Sequence, residues 1–282
     1  MNNNDIAAFQ GEVGAYSELA ALEYFGPQIR TLPCLTFDDV FDAVRKDICN
    51  YAILPVENSL AGSIHRNYDL MTRNDLHIVG EYHFRVSHCL MSLPGVPIGD
   101  ITRVHSHPQA LAQCEANIRQ LGIERVVEKD TAGSARLIRE RNDRTASALA
   151  SKRAAEVYQL DILIENMEDN PANLTRFLIF SKKPNDDDPD GAIEYKTSIV
   201  FSLHNRPGAL FKALSVFALR DIDLTKIESR PMQGKPWEYL FYIDIVGRPS
   251  ILNTQRALDH LDELAPFLRV LGVYPRHIIN AP

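Results

Sequence analysis

Cysteine is scarce in this chain: there are four among 282 residues, at positions 34, 49, 89 and 114, and no two form a C-x-x-C pair. A disulfide scaffold or a cysteine-rich zinc site would need denser or paired cysteines. A chain of this length can build its core without cross-links, so we predict four reduced thiols in a cytoplasmic protein.

The sequence also lacks long apolar runs and any excess of basic residues. No run approaches the roughly 18 apolar residues that a membrane-spanning helix needs. The first five residues, MNNND, lack the cationic start and apolar stretch of a signal peptide. Thirty Lys and Arg face 37 Asp and Glu, which gives a formal charge of −7. We therefore expect neither a membrane nor a nucleic-acid partner.

Several short motifs of known chemistry are missing as well. The glycines match neither a Walker loop nor G-x-G-x-x-G, the histidines form no H-E-x-x-H, and there is no G-x-S-x-G elbow. These absences argue against a bound nucleotide, a catalytic metal and a serine nucleophile.

Short β-rich runs alternate with amphipathic stretches along residues 5–180, for example at 6–9 and 51–56. Between such runs, residues 36–44 combine a capping box with apolar side chains on one helical face, and residues 111–121 predict a second helix that ends at the following glycine. This alternation is typical of an α/β domain with a largely parallel sheet.

The pattern changes after a polar, acidic stretch at residues 182–191, which contains three prolines or glycines and cannot cover a core. We predict a linker over 182–196. Beyond it, residues 197–282 follow the order strand, helix, strand, strand, helix, strand. That order is the ferredoxin-like split unit.

Four segments of the first domain place glycine or hydroxyl residues where a strand gives way to a helix: residues 10–17, 57–63, 106–109 and 131–134. A helix start offers unpaired backbone N–H groups and the positive end of the helix dipole. Each segment alone is most simply an ordinary cap. If several of them converge, they would form a site for a multiply charged small anion.

A further polar cluster, NLTRF at residues 173–177, stands just before an apolar strand. It could be a turn with Arg176 on the surface. Alternatively, Arg176 holds a carboxylate through its planar fork while the hydroxyl of Thr175 faces the same ligand.

Five segments, in this order, resemble the motif series of the prephenate dehydratase family: FQGEVGAYS, LPVENSLAGS, SHPQAL, DTAG and NLTRF, which start at residues 9, 54, 106, 130 and 173. The later segments GALF and ESRP, at 208–211 and 228–231, resemble the phenylalanine-sensing ACT domain that follows the catalytic domain in that family. Residues 63–70 and 217–222 also resemble the plant arogenate dehydratases.

The resemblance implies an α/β fold with a two-lobed, periplasmic-binding-protein-like catalytic domain followed by a ferredoxin-like βαββαβ ACT domain. The catalytic domain would cover residues 1–181, with one lobe from about 1–83 plus 161–181 and the other from 84–160. The ACT domain would cover 197–282.

The implied reaction is the loss of CO2 and water from prephenate to give phenylpyruvate in phenylalanine biosynthesis. Aromatisation drives it, so no cofactor or metal is expected. Thr175 would donate to the departing hydroxyl, Arg176 would hold a carboxylate, and Glu57 is the next candidate for the acid. The remaining predicted substrate contacts are Asn58, Ser59, Ser106, His107, Gln109, Thr131, Gly133 and Phe177.

Control by L-phenylalanine is implied for the second domain, with a homodimer or dimer of dimers formed through the ACT domains. The predicted effector residues are Asn205, Pro207, Gly208, Ala209, Leu210, Phe211, Glu228, Ser229, Arg230 and Pro231. Two alternatives stay open: an arogenate dehydratase that makes L-phenylalanine directly, and a non-catalytic module that binds a small anion.

Overall fold

The computed structural model describes residues 5–185, 194–235 and 237–279. They form two compact units. The first contains the described chain up to Ser63 and from His83 to Phe177, and the second contains Ile64–Tyr82 and the described chain from Leu178 onward. The units do not follow the order of the chain, because a segment from the first half of the sequence lies in the second unit.

One sheet of the first unit combines parallel and antiparallel pairs of strands. It contains β1 (Ile6–Gln10), β2 (Arg30–Cys34), β3 (Tyr51–Asn58), the short β4 (Gly62–Ser63) and the first half of β11 (Leu174–Ser181). The order is β2-β1-β3-β11, and β1 is parallel to both of its neighbours. The run Ala52, Ile53, Leu54 is fully buried. Strands covered on both faces have such continuous apolar sequences.

A second sheet of the same unit has five strands. They are β6 (Cys89–Ser92), β7 (Arg103–Ser106), β8 (Glu124–Val127), β9 (Ala146–Ala150) and β10 (Asp161–Ile164), in the order β10-β6-β9-β7-β8. Met91 and Ala148 belong to one apolar cluster, and Leu90 and Leu149 belong to another. Adjacent residues of a strand point to opposite faces, so the two clusters cover the two faces of this sheet.

The predicted return to the first lobe at about residue 161 falls at the start of β10. β10 pairs antiparallel with β6, and its side chains at positions 162–164 pack into the two clusters of the second sheet. Burial of these apolar side chains therefore keeps 161–164 in the second lobe, and the chain returns only after residue 164.

Six α-helices and one 3-10 turn accompany these sheets in the described part of the first unit. They are α1 (Tyr16–Phe25), α2 (Phe37–Arg45), α4 (Pro108–Gln113), α5 (Glu115–Leu121), α6 (Thr131–Arg141), α7 (Lys152–Tyr158) and the turn Ile98–Asp100. The predicted capping box of α2 is confirmed. The Thr36 hydroxyl accepts a hydrogen bond from the Asp39 amide, and the Asp39 carboxylate accepts one from the Thr36 amide.

The single helix predicted over residues 111–121 is wrong, because α4 and α5 are separate and meet at Cys114. The carbonyl of Gln113 accepts from the amide of Asp169 at 2.8 Å instead of continuing a helix. The Asp169 carboxylate then accepts from the amides of Ala116 and Asn117, at 3.0 and 3.3 Å. Asp169 thus caps the first turn of α5 from a distant part of the chain.

The second unit contains the predicted βαββαβ order, which confirms the ferredoxin-like fold. Its elements are β12 (Tyr195–Ser202), α8 (Ala209–Ala218), β13 (Leu224–Pro231), β14 (Tyr239–Val246), α9 (Leu252–Leu264) and β15 (Phe267–Pro275). The sheet order is β13-β14-β12-β15. One apolar cluster joins α8 and α9 to this sheet through Phe217, Leu261, Phe201 and Ile243.

The second unit also contains α3 (His65–Arg73) and most of β5 (His77–Arg85), which come from the sequence assigned to the catalytic domain. The guanidinium of Arg269 donates to the carbonyls of Thr72 and Asn74, at 3.3 and 3.0 Å, at the end of α3. The Tyr242 hydroxyl donates to the Tyr68 carbonyl at 2.9 Å. The domain boundaries along the chain stay a prediction, and residues 186–193 of the predicted linker lie outside the described residues.

Among the described residues, no helix has the length and apolar character that crossing a bilayer requires.

Gly272 lies where β15 pairs in parallel with Ile78 of β5. A Cβ at this position would lie 2.0 Å from the Ile78 carbonyl oxygen, which is rigid backbone. We expect Gly272→Ala to lower the free energy of unfolding by at least about 1–3 kcal/mol, because the strands must separate. Urea unfolding measures this loss. Gly99→Ala is the control, since a Cβ there meets nothing within 4 Å; equal losses in the two variants would contradict the close approach.

Candidate functional site

The side chain of Asn58, the last residue of β3, joins two strands of the first sheet. Its Nδ2 donates to Thr175 Oγ1 at 3.0 Å, to Asn173 Oδ1 at 2.8 Å and to the Leu174 carbonyl at 3.2 Å. The structure therefore brings together Asn58 and Thr175, which are 117 residues apart in the chain. The chain has just returned from the second sheet at this point.

Thr175 is 8% exposed. Its oxygen accepts a hydrogen bond from Asn58, so the hydroxyl proton can be donated to a ligand. A hydrogen bond received at the oxygen also draws electron density from the O–H bond and stabilises negative charge that develops there. The geometry thus suits Thr175 to the role of a hydrogen-bond donor.

Ser59 holds the start of β11 in place. Its hydroxyl donates to the Ala172 carbonyl at 2.8 Å and accepts from the Leu174 amide at 3.0 Å, and its amide donates to the Leu174 carbonyl at 2.8 Å. Both functions of the hydroxyl are used by backbone groups. This differs from the predicted substrate contact and makes Ser59 a residue that positions Thr175 through the strand.

Arg176 lies on the other strand face from Thr175, with which it was predicted to share a ligand, and Glu57, the next predicted candidate for the acid, lies on the other strand face from Asn58. Successive side chains of a strand point to opposite faces. Arg176 therefore faces away from Thr175, and Glu57 faces away from Asn58. The prediction that Arg176 and the Thr175 hydroxyl face one ligand is corrected by this alternation. Arg176 is nonetheless 7% exposed, so a permanent positive charge is buried next to Thr175.

Phe177 shares a strand face with Thr175, but it is buried and packs edge-on against Phe84 with 6.4 Å between ring centroids. Phe84 in turn lies 6.2 Å from the ring of Tyr16. Phe177 thus forms the apolar base of the site, which corrects its prediction as a substrate contact.

Ser106 also has a structural role. Its side chain is 0% exposed, and the hydroxyl donates to the Leu149 carbonyl of β9, the neighbouring strand of the same sheet, at 2.6 Å. A substrate cannot reach a hydroxyl in that position without moving the sheet, so the predicted contact is corrected.

The remaining residues of the SHPQ motif lie at the start of α4. His107 Nδ1 accepts from the Gln109 amide at 3.2 Å, and burial lowers the pKa of His107. His107 is therefore a neutral cap, and the side chain of Gln109 is exposed. His107 and Gln109 stay predicted contacts.

The contacts at the helix starts do not support the predicted anion site. Side chains of the protein already accept the hydrogen bonds of the backbone amides that the anion would need. At the first segment, the Gly14 amide donates to the buried Glu18 carboxylate at 2.6 Å. At the fourth, the Gly133 amide donates to the Asp130 carboxylate at 2.6 Å. Two carboxylates repel an anion where the dipole argument predicted attraction.

Gly133 is explained by the same contact. A Cβ at residue 133 would lie 2.9 Å from a carboxylate oxygen of Asp130. Thr131 follows that cap as the first residue of α6 and is half-buried. The structure thus assigns Gly133 to helix capping, and Thr131 stays a predicted contact.

At the second predicted segment the chain makes a turn and the short strand β4 instead of a helix. Asn58 Oδ1 accepts from the amides of Leu60 and Ala61 in this turn, at 3.1 and 2.9 Å. The amide group of Asn58 is therefore held on both sides, by N–H donors at its oxygen and by acceptors at its nitrogen.

Sequence reasoning missed a chain of polar side chains behind Asn58. Asn173 Nδ2 donates to Gln113 Oε1 at 3.1 Å, and Gln113 Oε1 lies 3.0 Å from His88 Nε2. His88 Nδ1 lies 2.6 Å from the hydroxyl of Tyr16. Two of these residues were visible in the sequence, since Asn173 and Tyr16 belong to the family motifs. No spacing in the sequence pointed to their contact through Gln113 and His88.

Glu12 of the first motif binds α6. Its carboxylate forms a two-pronged ion pair with Arg136, with N–O distances of 2.7 and 2.9 Å. The hydrogen bond from Arg136 holds the pKa of Glu12 below its usual value. The pair fixes the glycine-containing loop against the helix that Asp130 caps.

The first group of predicted effector residues lies around a cavity of about 120 Å³ in the second unit. Asn205, Ala209 and Leu210 line it together with Tyr239 and Phe241 of β14. Gly208 is the N-cap of α8, and Pro207 precedes it. Phe211 is 77% exposed on the same helix.

The second group lies on β13 and does not line that cavity. Arg230 pairs with Asp69 of α3 at 3.1 Å, and Glu228 lies 3.3 Å from His65 and 3.5 Å from Lys226. The alternating residues Ser229 and Pro231 are exposed. Within one chain, the two predicted halves of the effector site are therefore separate. Both groups stay predicted effector residues.

Comparison with known proteins gives consistent matches. A family model described as prephenate dehydratase matches residues 7–185, and one described as the ACT domain matches residues 197–262. Arogenate dehydratase/prephenate dehydratase 1, chloroplastic, of Arabidopsis thaliana is 49% identical over 97% of this chain and 72% of its own length. Arogenate dehydratase 2 of Petunia hybrida is 48% identical over 95% of this chain and 71% of its own length.

Two solved structures are similar along nearly the whole chain. A prephenate dehydratase in complex with L-Phe from Arthrobacter aurescens has a TM-score of 0.87 and 30% identity, with coverage of 96% of this chain and 90% of that one. A structure described as GqqA, a novel type of quorum quenching acylase, has a TM-score of 0.90 and 42% identity, with coverage of 96% and 98%.

We expect Asn58→Asp to destabilise the protein by about 1–3 kcal/mol at neutral pH, because the buried oxygens of Asn173 and Thr175 lose their donor. The loss should shrink as the pH falls and the new carboxyl gains a proton to donate. Urea unfolding at several pH values measures both effects. Asn50→Asp is the control, since Asn50 Oδ1 only accepts from the Ile6 amide. A loss at Asn58 no larger than the control's would contradict the bonding described.

Proposed function

Because the chain belongs to the prephenate dehydratase family, we propose that it converts prephenate to phenylpyruvate, with CO2 and water as the other products. The observation that carries the proposal is the buried Thr175 hydroxyl, held by Asn58 so that its proton can be donated. Arogenate is the alternative substrate, since the plant relatives above carry that name.

The reaction needs a group that donates a hydrogen bond or a proton to the leaving hydroxyl more than it needs a base. The bond from the ring to the carboxylate breaks, its electron pair enters the ring, and the bond from the ring to the hydroxyl breaks at the opposite carbon. Thr175 donates a hydrogen bond or its proton to the leaving oxygen, which departs as water once protonated. Asn58 stabilises the negative charge left on Thr175. Aromatisation supplies the driving force, so the proposed step requires no cofactor.

Arg176 contributes to substrate binding through its charge. The substrate carries two carboxylates, and a guanidinium stays protonated even when buried. A buried cation one residue from the donor raises the local potential, and this favours a dianion over neutral ligands. We retain Arg176 in the site as this electrostatic partner. Glu57, on the face of β3 opposite to Asn58, is the weaker candidate for the acid.

The test is turnover of prephenate and of arogenate, each compared with its spontaneous decay. Thr175→Ala should lower kcat by about 10²–10⁴-fold, the range of general-acid assistance, with a small change in KM. Thr175→Ser keeps the hydroxyl and should retain most of kcat. Equal kcat values for Thr175→Ala and the unaltered protein would remove Thr175 from this role. Absence of turnover of both substrates by the unaltered protein would favour the binding-module alternative.

Regulation by L-phenylalanine is proposed at the cavity beside α8. The start of α8 offers backbone N–H groups for a carboxylate, and Tyr239 and Phe241 offer an apolar surface for an aromatic ring. The solved relative from Arthrobacter aurescens was crystallised with L-Phe. The exposed Phe211 and Trp237, at 77% and 78%, are suited to burial against a second copy, which supports a homodimer or dimer of dimers.

We expect Ala209→Leu to weaken inhibition by L-phenylalanine at least tenfold with little change in kcat, because the larger side chain fills the cavity. Inhibition curves measure the effect. Ala218→Leu is the matched control, since Ala218 is exposed at the other end of α8. Unchanged inhibition in the Ala209 variant would place the effector site elsewhere.

A further inference from the structure

The orientation of the Asn58 amide decides the orientation of each group behind it. Asn58 Oδ1 receives two backbone N–H donors, so the side-chain oxygen must point to them. Its nitrogen then faces Asn173 Oδ1, and Asn173 must direct its own nitrogen to Gln113. Amide orientations are assigned from such contacts, and here the backbone leaves only one consistent choice.

The same logic fixes the proton on His88. Gln113 Oε1 can only accept, so His88 Nε2, 3.0 Å away, must carry a proton. In the neutral ring Nδ1 is then an acceptor, and it lies 2.6 Å from the Tyr16 hydroxyl, which is shared with the Ser87 carbonyl at 3.0 Å. His88 is 2% exposed, and its burial lowers its pKa, so the ring is neutral near pH 7.

The backbone around this ring is also held. The amide of His88 donates to the buried Glu168 carboxylate at 2.9 Å, and the ring of Tyr16 lies edge-on to the imidazole with 5.3 Å between centroids. The rings of His88 and Tyr16 adjoin a row of aromatic contacts that runs from Tyr16 to Phe84 and from Phe84 to Phe177. These contacts hold the His88 ring in one position, and the tautomer with its proton on Nε2 satisfies both ring nitrogens.

We propose that His88 and Tyr16 are positioning residues for Thr175, and that they act through Gln113, Asn173 and Asn58. Neither touches the hydroxyl. They hold Asn173 in place, and Asn173 Oδ1 is one of the acceptors of Asn58 Nδ2, so they support the exact position of the Asn58 donor at Thr175 while the backbone amides set its orientation. Loss of His88 Nε2–H allows Gln113 and Asn173 to rotate, and the Thr175 donor is then misaligned. The inference rests on the proposed role of Thr175.

The test is a double-mutant cycle measured with whichever of prephenate and arogenate the unaltered protein consumes. His88→Leu should lower kcat on the order of 10²-fold, as expected for a misplacement of about 1 Å, with KM changed much less. His88→Gln can present an N–H near the same point and should recover part of the loss. Tyr16→Phe should lower kcat less than His88→Leu.

The decisive arm adds His88→Leu to Thr175→Ala. If His88 acts through Thr175, the second change has no further effect on kcat in the Thr175→Ala protein. Multiplied effects would show that His88 acts by another route and would overturn the inference. His105→Gln is the matched control, since His105 is also buried in this unit but bonds Glu128 outside this chain of contacts.

A second measurement does not depend on turnover. Nitrogen-15 shifts of the His88 ring should report a proton on Nε2 and none on Nδ1, and Tyr16→Phe should keep this tautomer because Gln113 Oε1 still faces Nε2. A proton on Nδ1 in the unaltered protein would overturn the inference even if the enzyme is active. Failure of the proposed function would instead appear in the unaltered protein, as absence of turnover, while the ring signal stays as expected.

Discussion

The two-sided fixation of the Asn58 amide is the constraint on which the rest of the site depends. A primary amide has a donor end and an acceptor end, and here the turn after β3 occupies the acceptor end. The donor end must then face the start of β11, where Thr175 receives it. Because both ends are held inside the protein, the proposed role of Thr175 as a donor would need little reorganisation of Asn58, and preorganised donors of this kind are the most effective in catalysis.

The outline of the fold could be predicted from the sequence because it depends on local patterns. Periodicity gave the α/β alternation and the βαββαβ order, and the capping box gave the start of α2. Side-chain contacts over long sequence distances could not be predicted in the same way. Asp169 separates α4 from α5 although it is 52 residues from Asn117, and β10 belongs to the second sheet because of its packing.

The candidate site shows the same division between motif and geometry. The motifs pointed to Asn58 and Thr175, which the structure brings into contact, but the dipole argument misjudged the helix starts, because Glu18 and Asp130 satisfy the amides there. The residue types in these segments are common at helix starts because they cap the backbone N–H groups there. A capped helix start has fewer unpaired N–H groups to offer an anion. The alternation of side chains along a strand is also a local pattern. Applied to residues 174–181, it is sufficient to place Arg176 and Thr175 on opposite faces of the strand.

The placement of α3 gives a physical reason why regulation and catalysis can be linked in this chain. The turn that fixes Asn58 ends in β4, and only Ile64 separates β4 from α3. α3 is held within the second unit by the Arg230–Asp69 pair and by the bonds from Arg269 to its last carbonyls. An effector that favours one arrangement of this sheet therefore changes the free energy of the position of α3. α3 and the turn that holds Asn58 are neighbours along the chain, so residues 58–73 connect the candidate site to the unit that contains the predicted effector cavity.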